Sequence, residues 1–169
     1  MNWEHIHLSL NHLPVVGTIF GVLLLLLALV RKSEKLKRVS LGVFVFTALL
    51  ALPVYFTGEP AEKVVEHLPG VAEPLIERHE DAALFALLMA GGAGVVALAG
   101  LILFRRAVKL PGWIVAATLV LSLATSGLMG WTANLGGQIR HTEIRAGFMA
   151  PTEMGTEGKQ KKEKEEDHE

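Results

Sequence analysis

Seven histidines and no cysteine define the chemistry open to this chain. Without a thiol there is no disulfide scaffold, zinc–thiolate site, thiolate-held iron–sulfur cluster, covalent c-type haem or cysteine nucleophile. A metal or cofactor must be held by imidazole, carboxylate or main chain. The positions of the histidines therefore matter more than their number. His5, His7 and His12 precede a long uncharged run, and His67 and His79 lie in an acidic connection. His141 follows the last uncharged run, and His168 is next to the final residue.

The elements that position these residues follow from how charge is distributed. The chain has 169 residues, 51% hydrophobic and 20% charged, with a formal net charge of −1. That length suits one domain or one compact membrane bundle. The near-zero charge is not the footprint of a nucleic-acid binder. The average conceals a sharp segregation. Residues 13–30, 39–57, 82–104 and 113–135 form uncharged runs of 18, 19, 23 and 23 residues. Each is long enough to cross roughly 30 Å of hydrocarbon. The expectation is an all-α integral membrane protein, a four-helix up-down-up-down bundle over residues 1–150. Residues 151–169 are polar, charged and free of aromatics, which predicts a disordered tail.

Residues 1–12 contain no Lys or Arg, so the first run lacks the basic flank of a cleaved signal peptide. The first connection carries Arg31, Lys32, Lys35, Lys37 and Arg38, and the third carries Arg105, Arg106 and Lys109. The second, residues 58–81, sets seven acids against Lys63 and Arg78. The positive-inside rule places connections one and three in the cytoplasm of a bacterial inner membrane. Both termini and the acidic connection are then outside, N-out and C-out, and every histidine falls on the periplasmic side.

His12, His79 and His141 stand at nearly one depth in such a bundle and are expected to converge at its outer mouth, with His67 and His7 next in reach. A histidine cluster between dry helices and water suits a haem iron or a bare metal ion. For haem b, small residues below His79 (Ala83, Ala86, Ala90, Gly94) and the row Thr118, Ser122, Ser126, Gly130, Asn134 offer a slot. Arg140 and Arg145 are candidates to pair with its propionates. The same rows also read as ordinary helix-packing surfaces. For a Zn, Cu or Fe ion, the candidate ligands are His12, His79, His141, Glu80 and Glu143. No H-E-x-x-H pattern is present.

His7, His12 and Pro14 have the spacing H-x4-H-x-P at the mouth of the first span. The fourth closes on Gly136-Gly137, followed by Gln138, Ile139, Arg140 and His141. The chain in these features resembles a family of uncharacterised bacterial four-helix membrane proteins, described as a domain of unknown function. Its members often open with two such histidines and a proline and close span four with Gly-Gly. It departs from them at His141, where an aromatic residue is expected, and over residues 143–145. The resemblance implies four helices and an outer histidine cluster, and no established activity.

The leading expectation is a haem b protein that transfers electrons at the periplasmic face. Its partner would be a quinone in the bilayer or a periplasmic redox protein. A non-haem metal-binding or transport-accessory protein is the alternative, and a structural subunit of a respiratory complex the third. A homo-oligomer and a place in a larger membrane complex are both compatible with the sequence. No Asp, Glu, Lys, Arg or His lies inside any uncharged run, so a mid-membrane charged relay is missing.

Overall fold

The computed structural model describes residues 2–148, so the expected disordered tail lies outside the described residues. The chain is helical, with no strand among the described residues. The elements are α1 (Trp3–Leu10), α2 (His12–Val30), α3 (Glu34–Phe56), α4 (Gly58–Val65), α5 (Glu73–Leu103) and α6 (Gly112–Arg140). A 3₁₀ turn at Thr142–Ile144 follows.

Helices α2, α3, α5 and α6 have 19, 23, 31 and 29 residues. At about 1.5 Å per residue, even the shortest reaches about 28 Å. They alternate in direction. α2 packs on α3, α3 on α5, α5 on α6, and α6 closes the ring against α2. These helices are apolar outside as well as inside. Phe46, Phe85 and Val95 are 62%, 60% and 68% exposed, far more apolar surface than water tolerates on a small helical protein. The chain is a multi-pass membrane protein.

The two ends of the bundle are built differently. At the end where α2 passes into α3 and α5 into α6, here the arginine end, the core is large side chains. Val22, Leu25, Leu41, Phe44, Ile114 and Val115 pack together with Leu110 and Ala97. At the other end, here the histidine end, the buried cluster is Ala86, Ala90 and Met129. Small residues let the backbones approach. A Cβ on Gly94 would sit 2.6 Å from the Ala48 Cβ, and one on Gly21 would sit 2.7 Å from the Phe44 ring. Packing of this kind replaces the hydrophobic effect as the force between helices in lipid.

Between these layers lie buried hydroxyls. Thr18, Thr118 and Thr125 each donate to the carbonyl four residues earlier, and Ser122 to the one three earlier. Their own helices satisfy them where water cannot. Thr18, Thr47, Ser122 and Thr125 line a void of about 10 Å³ with Phe44 and three alanines.

The row on α6 does not stay on one face. Thr118 and Ser122 are buried, Ser126 is half-buried, and Gly130 and Asn134 are exposed. Four residues turn an α-helix by about 400°, so a strict four-residue row rotates about 40° per step. The core face passes instead to Thr125 and Met129, both buried. The row on α5 includes a step of three, precesses less, and remains inward at Ala86, Ala90 and Gly94.

Candidate functional site

The histidine end carries two short helices that the four spans alone would not require. α1 packs against α4, over the point where α3 ends. His7 is the residue that binds them. Its Nδ1 lies 3.1 Å from the Val54 carbonyl and 3.2 Å from the Thr57 hydroxyl. The hydroxyl itself donates to Val54 O at 2.9 Å. A carbonyl can only accept, so Nδ1 carries the proton and the neutral ring presents its lone pair at Nε2.

His79 repeats the pattern one helix away. It lies on α5, three residues before the uncharged stretch, and its Nδ1 donates to Thr132 O on α6 at 2.9 Å. Its ring rests on Gly136, where an added Cβ would come within 3.0 Å of Cε1. The glycine leaves space for the imidazole between α5 and α6. The Gly-Gly close of the fourth span thus has a physical role at its first position.

Both imidazoles lie outside the uncharged spans, and both have depressed pKa values. Burial is the main cause for each, opposed by the carbonyl hydrogen bond. For His7 the charge of His79 adds to the lowering, which places the two rings within electrostatic reach of each other. Both are therefore neutral at pH 7, the form that ligates iron or another metal. An Nδ1–H held by a main-chain carbonyl is also the arrangement that orients metal-ligating imidazoles and raises their basicity.

A carboxyl pair lies beside them. Glu62 of α4 meets Glu80 of α5, next to His79 in sequence. Their shared hydrogen bond, then burial and the negative charges of Glu80 and Glu59, raise Glu62 to about 7. One proton is held between the two groups where an ordinary carboxylate would have lost it. Asn11, at the joint of α1 and α2, adds a buried Oδ1 with no hydrogen-bond partner among the described residues.

The other candidate residues are placed differently. His12 is exposed at the start of α2. His141 is the C-cap of α6, exposed, with Nδ1 2.8 Å from Glu143 Oε1. His67 is exposed and 3.3 Å from Glu66, and His5 is exposed. Arg140 is exposed. Arg145 donates to the carbonyls of Gln138, Ile139 and Gly70, at 2.8, 3.0 and 2.9 Å. It closes the end of α6 and fastens to it the turn at Gly70, whose φ of +81° favours glycine. Its guanidinium is thus taken up by main chain. His168 lies outside the described residues. Among the described residues, no three His, Asp or Glu side chains are grouped to hold a metal ion. Of the described histidines, His7 and His79 are the two that are half-buried. Sequence spacing ranked His7 behind His12, because the packing of α1 on α4, with His7 against Val54 and Thr57, was not legible.

The chain matches the family described as Domain of unknown function (DUF389) over residues 11–143, and it belongs to that family. Neither the curated proteins nor the solved structures include one that matches it.

Proposed function

We propose that this chain binds a b-type haem at the histidine end and carries electrons there, with His79 and His7 as the axial ligands. One observation carries the reading. Two half-buried imidazoles from different helices each have Nδ1 tied to a main-chain carbonyl, and each has Nε2 left for a ligand. The absence of cysteine makes the haem non-covalent. Ligation by two histidines leaves no open position on the iron, which favours electron transfer over substrate chemistry. The donor or acceptor is then a quinone in the bilayer or a soluble redox protein at the membrane surface. The basic connections at the opposite end support a periplasmic position for the site in a bacterial inner membrane.

A second reading rests on the carboxyl pair. Glu62 and Glu80, the latter next to His79 in sequence, offer oxygen donors for a bare transition-metal ion, although the three side chains are not gathered into one ligand group among the described residues. The visible spectrum of the purified full chain separates the two. A Soret band and a sharp reduced α-band are expected, and both should be lost or strongly shifted in His79→Ala and in His7→Ala. His12→Ala and His141→Ala should retain them. A colourless protein carrying stoichiometric metal would give the site to the second reading. Normal spectra in both the His7 and His79 variants would remove the proposed pair. Orientation is tested with an engineered cysteine in residues 58–70 and a reagent that cannot cross the membrane. Labelling of intact cells is expected, and labelling only after lysis would reverse the orientation.

A further inference from the structure

The cavity of about 10 Å³ in the middle of the bundle is lined by four hydroxyl side chains from three helices. They are Thr18 of α2, Thr47 of α3, and Ser122 and Thr125 of α6. None of the four is more than 3% exposed. Thr47 is the ninth of 19 residues in its uncharged run and Ser122 the tenth of 23, which puts the cavity near mid-membrane. Three of the hydroxyls have committed their protons. Thr18 donates to Pro14 O at 2.7 Å, Ser122 to Leu119 O at 3.0 Å and Thr125 to Leu121 O at 2.8 Å, each within its own helix. Their oxygens keep lone pairs and have no proton left to give. Thr47 differs, because its hydroxyl makes no hydrogen bond to another described residue. Its Oγ1 faces α2, 2.8 Å from where a Cβ on Gly17 would stand. A buried hydroxyl left unanswered is costly in hydrocarbon.

We propose that this cavity is the binding site of one water molecule that hydrogen-bonds α2, α3 and α6 to one another at mid-membrane. The volume holds about one water, and a buried water needs roughly two to four polar partners. The roles also match. The water accepts from Thr47 and donates to two of the three oxygens whose protons are already committed. A cation would suit the oxygens but not the charge. The hydroxyls are neutral and the uncharged runs hold no Asp or Glu, so an ion would stand unpaired in hydrocarbon. An apolar guest would leave Thr47 unanswered. Among the described residues, direct side-chain bonding between spans around the cavity amounts to a 3.5 Å contact of the Thr18 hydroxyl with Met129 Sδ. The water therefore supplies the bonds between helices at a depth where each helix otherwise bonds to itself.

A crystal structure of the full chain, at a resolution that shows ordered water, tests this directly. A peak is expected about 2.8 Å from Thr47 Oγ1 and from at least one of the other three hydroxyl oxygens. An ordered cavity with no peak would overturn the proposal, and so would a peak at the about 2.3–2.6 Å of a hard cation. Thr47→Val gives a second test, through the sign of its effect. The shapes are nearly equal, so the variant is expected to fold, and circular dichroism checks that it has. With water bound, valine removes the donor that holds it, and the melting temperature in detergent should fall by about 2–4 °C. In a dry cavity valine would relieve an unanswered hydroxyl, and the melting temperature would rise. Thr118→Val is the control. Thr118 is equally buried, bonds to Ile114 O in its own helix and does not line the cavity. Its melting temperature should stay within about 1 °C of wild type. A rise or no change in the Thr47 variant, or an equal fall in both variants, would overturn the proposal. None of these outcomes depends on whether a haem is bound.

Discussion

The arginine end and the histidine end use their partly buried polar side chains in opposite ways. At the arginine end Ser33, Glu34 and Arg38 are committed to holding the fold, while Arg31, Lys32, Lys35, Arg105, Arg106 and Lys109 are exposed. Arg38 donates to the carbonyls of Phe104 and Ala107, at 3.0 and 2.8 Å, which pins the end of α5 to α3. Glu34 accepts from the Leu110 N–H at 2.8 Å and from Lys37 at 2.6 Å, which ties the other side of the same connection. Ser33 caps α3 through the Leu36 N–H. Beneath them lies a core of leucine, isoleucine and phenylalanine. At the histidine end, two imidazoles keep a free nitrogen, two carboxyls share a proton, and Asn11 holds an unanswered acceptor. The core beneath these groups is mostly alanine. Polar groups saturated by main chain stabilise. Polar groups held in place with capacity to spare are equipped to bind, and the small-residue core beneath them leaves room.

Overpacking should produce the largest effect, and it should differ between the middle of the bundle and the histidine end. Gly94→Ala puts a methyl 2.6 Å from the Ala48 Cβ, which is fixed to its backbone, so α3 and α5 must separate. A loss of about 1–3 kcal/mol in a detergent unfolding assay is expected, with the haem spectrum little changed. Gly136→Ala meets the His79 ring at 3.0 Å, and a ring can swing aside. Its cost in stability should be below about 1.5 kcal/mol. The swing breaks the bond to Thr132, so haem affinity should fall clearly more than stability. Equal effects of the two substitutions on haem binding would mean that the histidine end is no more sensitive than the middle of the bundle.

Arg38→Ala comes next. Losing two charge-assisted bonds at a partly exposed site should cost about 1–2 kcal/mol by thermal unfolding and leave metal or haem binding intact. A loss of binding equal to that of the His79 variant would mean that the ends are coupled.

The pH response is smaller and has a distinct sign. Folded Glu62 holds its proton up to about pH 7, whereas the unfolded side chain releases it near 4.5. The folded chain binds more protons in that window, so this group makes stability fall as pH rises from about 4.5 to 7. His7 and His79 act oppositely. Their folded pKa values lie below 6.5, so their contribution is present above 6.5 and fades as pH drops below it. Glu62→Gln removes the first trend, and melting temperatures between pH 5 and 7 should then rise with pH. A slope unchanged from wild type would remove Glu62 from the account.

The smallest effect belongs to His141. Its pair with Glu143 is exposed on both sides, so His141→Ala should change stability by less than about 0.5 kcal/mol.

The spans were legible because the free energy of crossing hydrocarbon depends on the composition of a run more than on its neighbours. Residue order also set the acidic connection, residues 58–81, apart from the spans. It could not place α1 on α4. The joint at Asn11 lies just before Pro14, which has no N–H to give the Leu10 carbonyl, but only the fold shows that α1 rests on α4. Arg145 shows the same limit. Beside His141 it reads as a ligand for an acid, but the fold sets it over the free carbonyls at the end of α6.

Sequence by itself determined that this is a four-span helical membrane protein, that its charged residues gather beyond the spans, and that imidazole is its strongest ligand. Those properties are local, set by runs of side chains against lipid and by the absence of thiol. Only the tertiary structure decided which imidazoles are half-buried and held by main chain. His7 and His79 are far apart in the chain, and each is fixed by a carbonyl on a helix that the local sequence does not specify. Burial, tautomer and free nitrogen all follow from that meeting of helices, and no spacing along one helix encodes it.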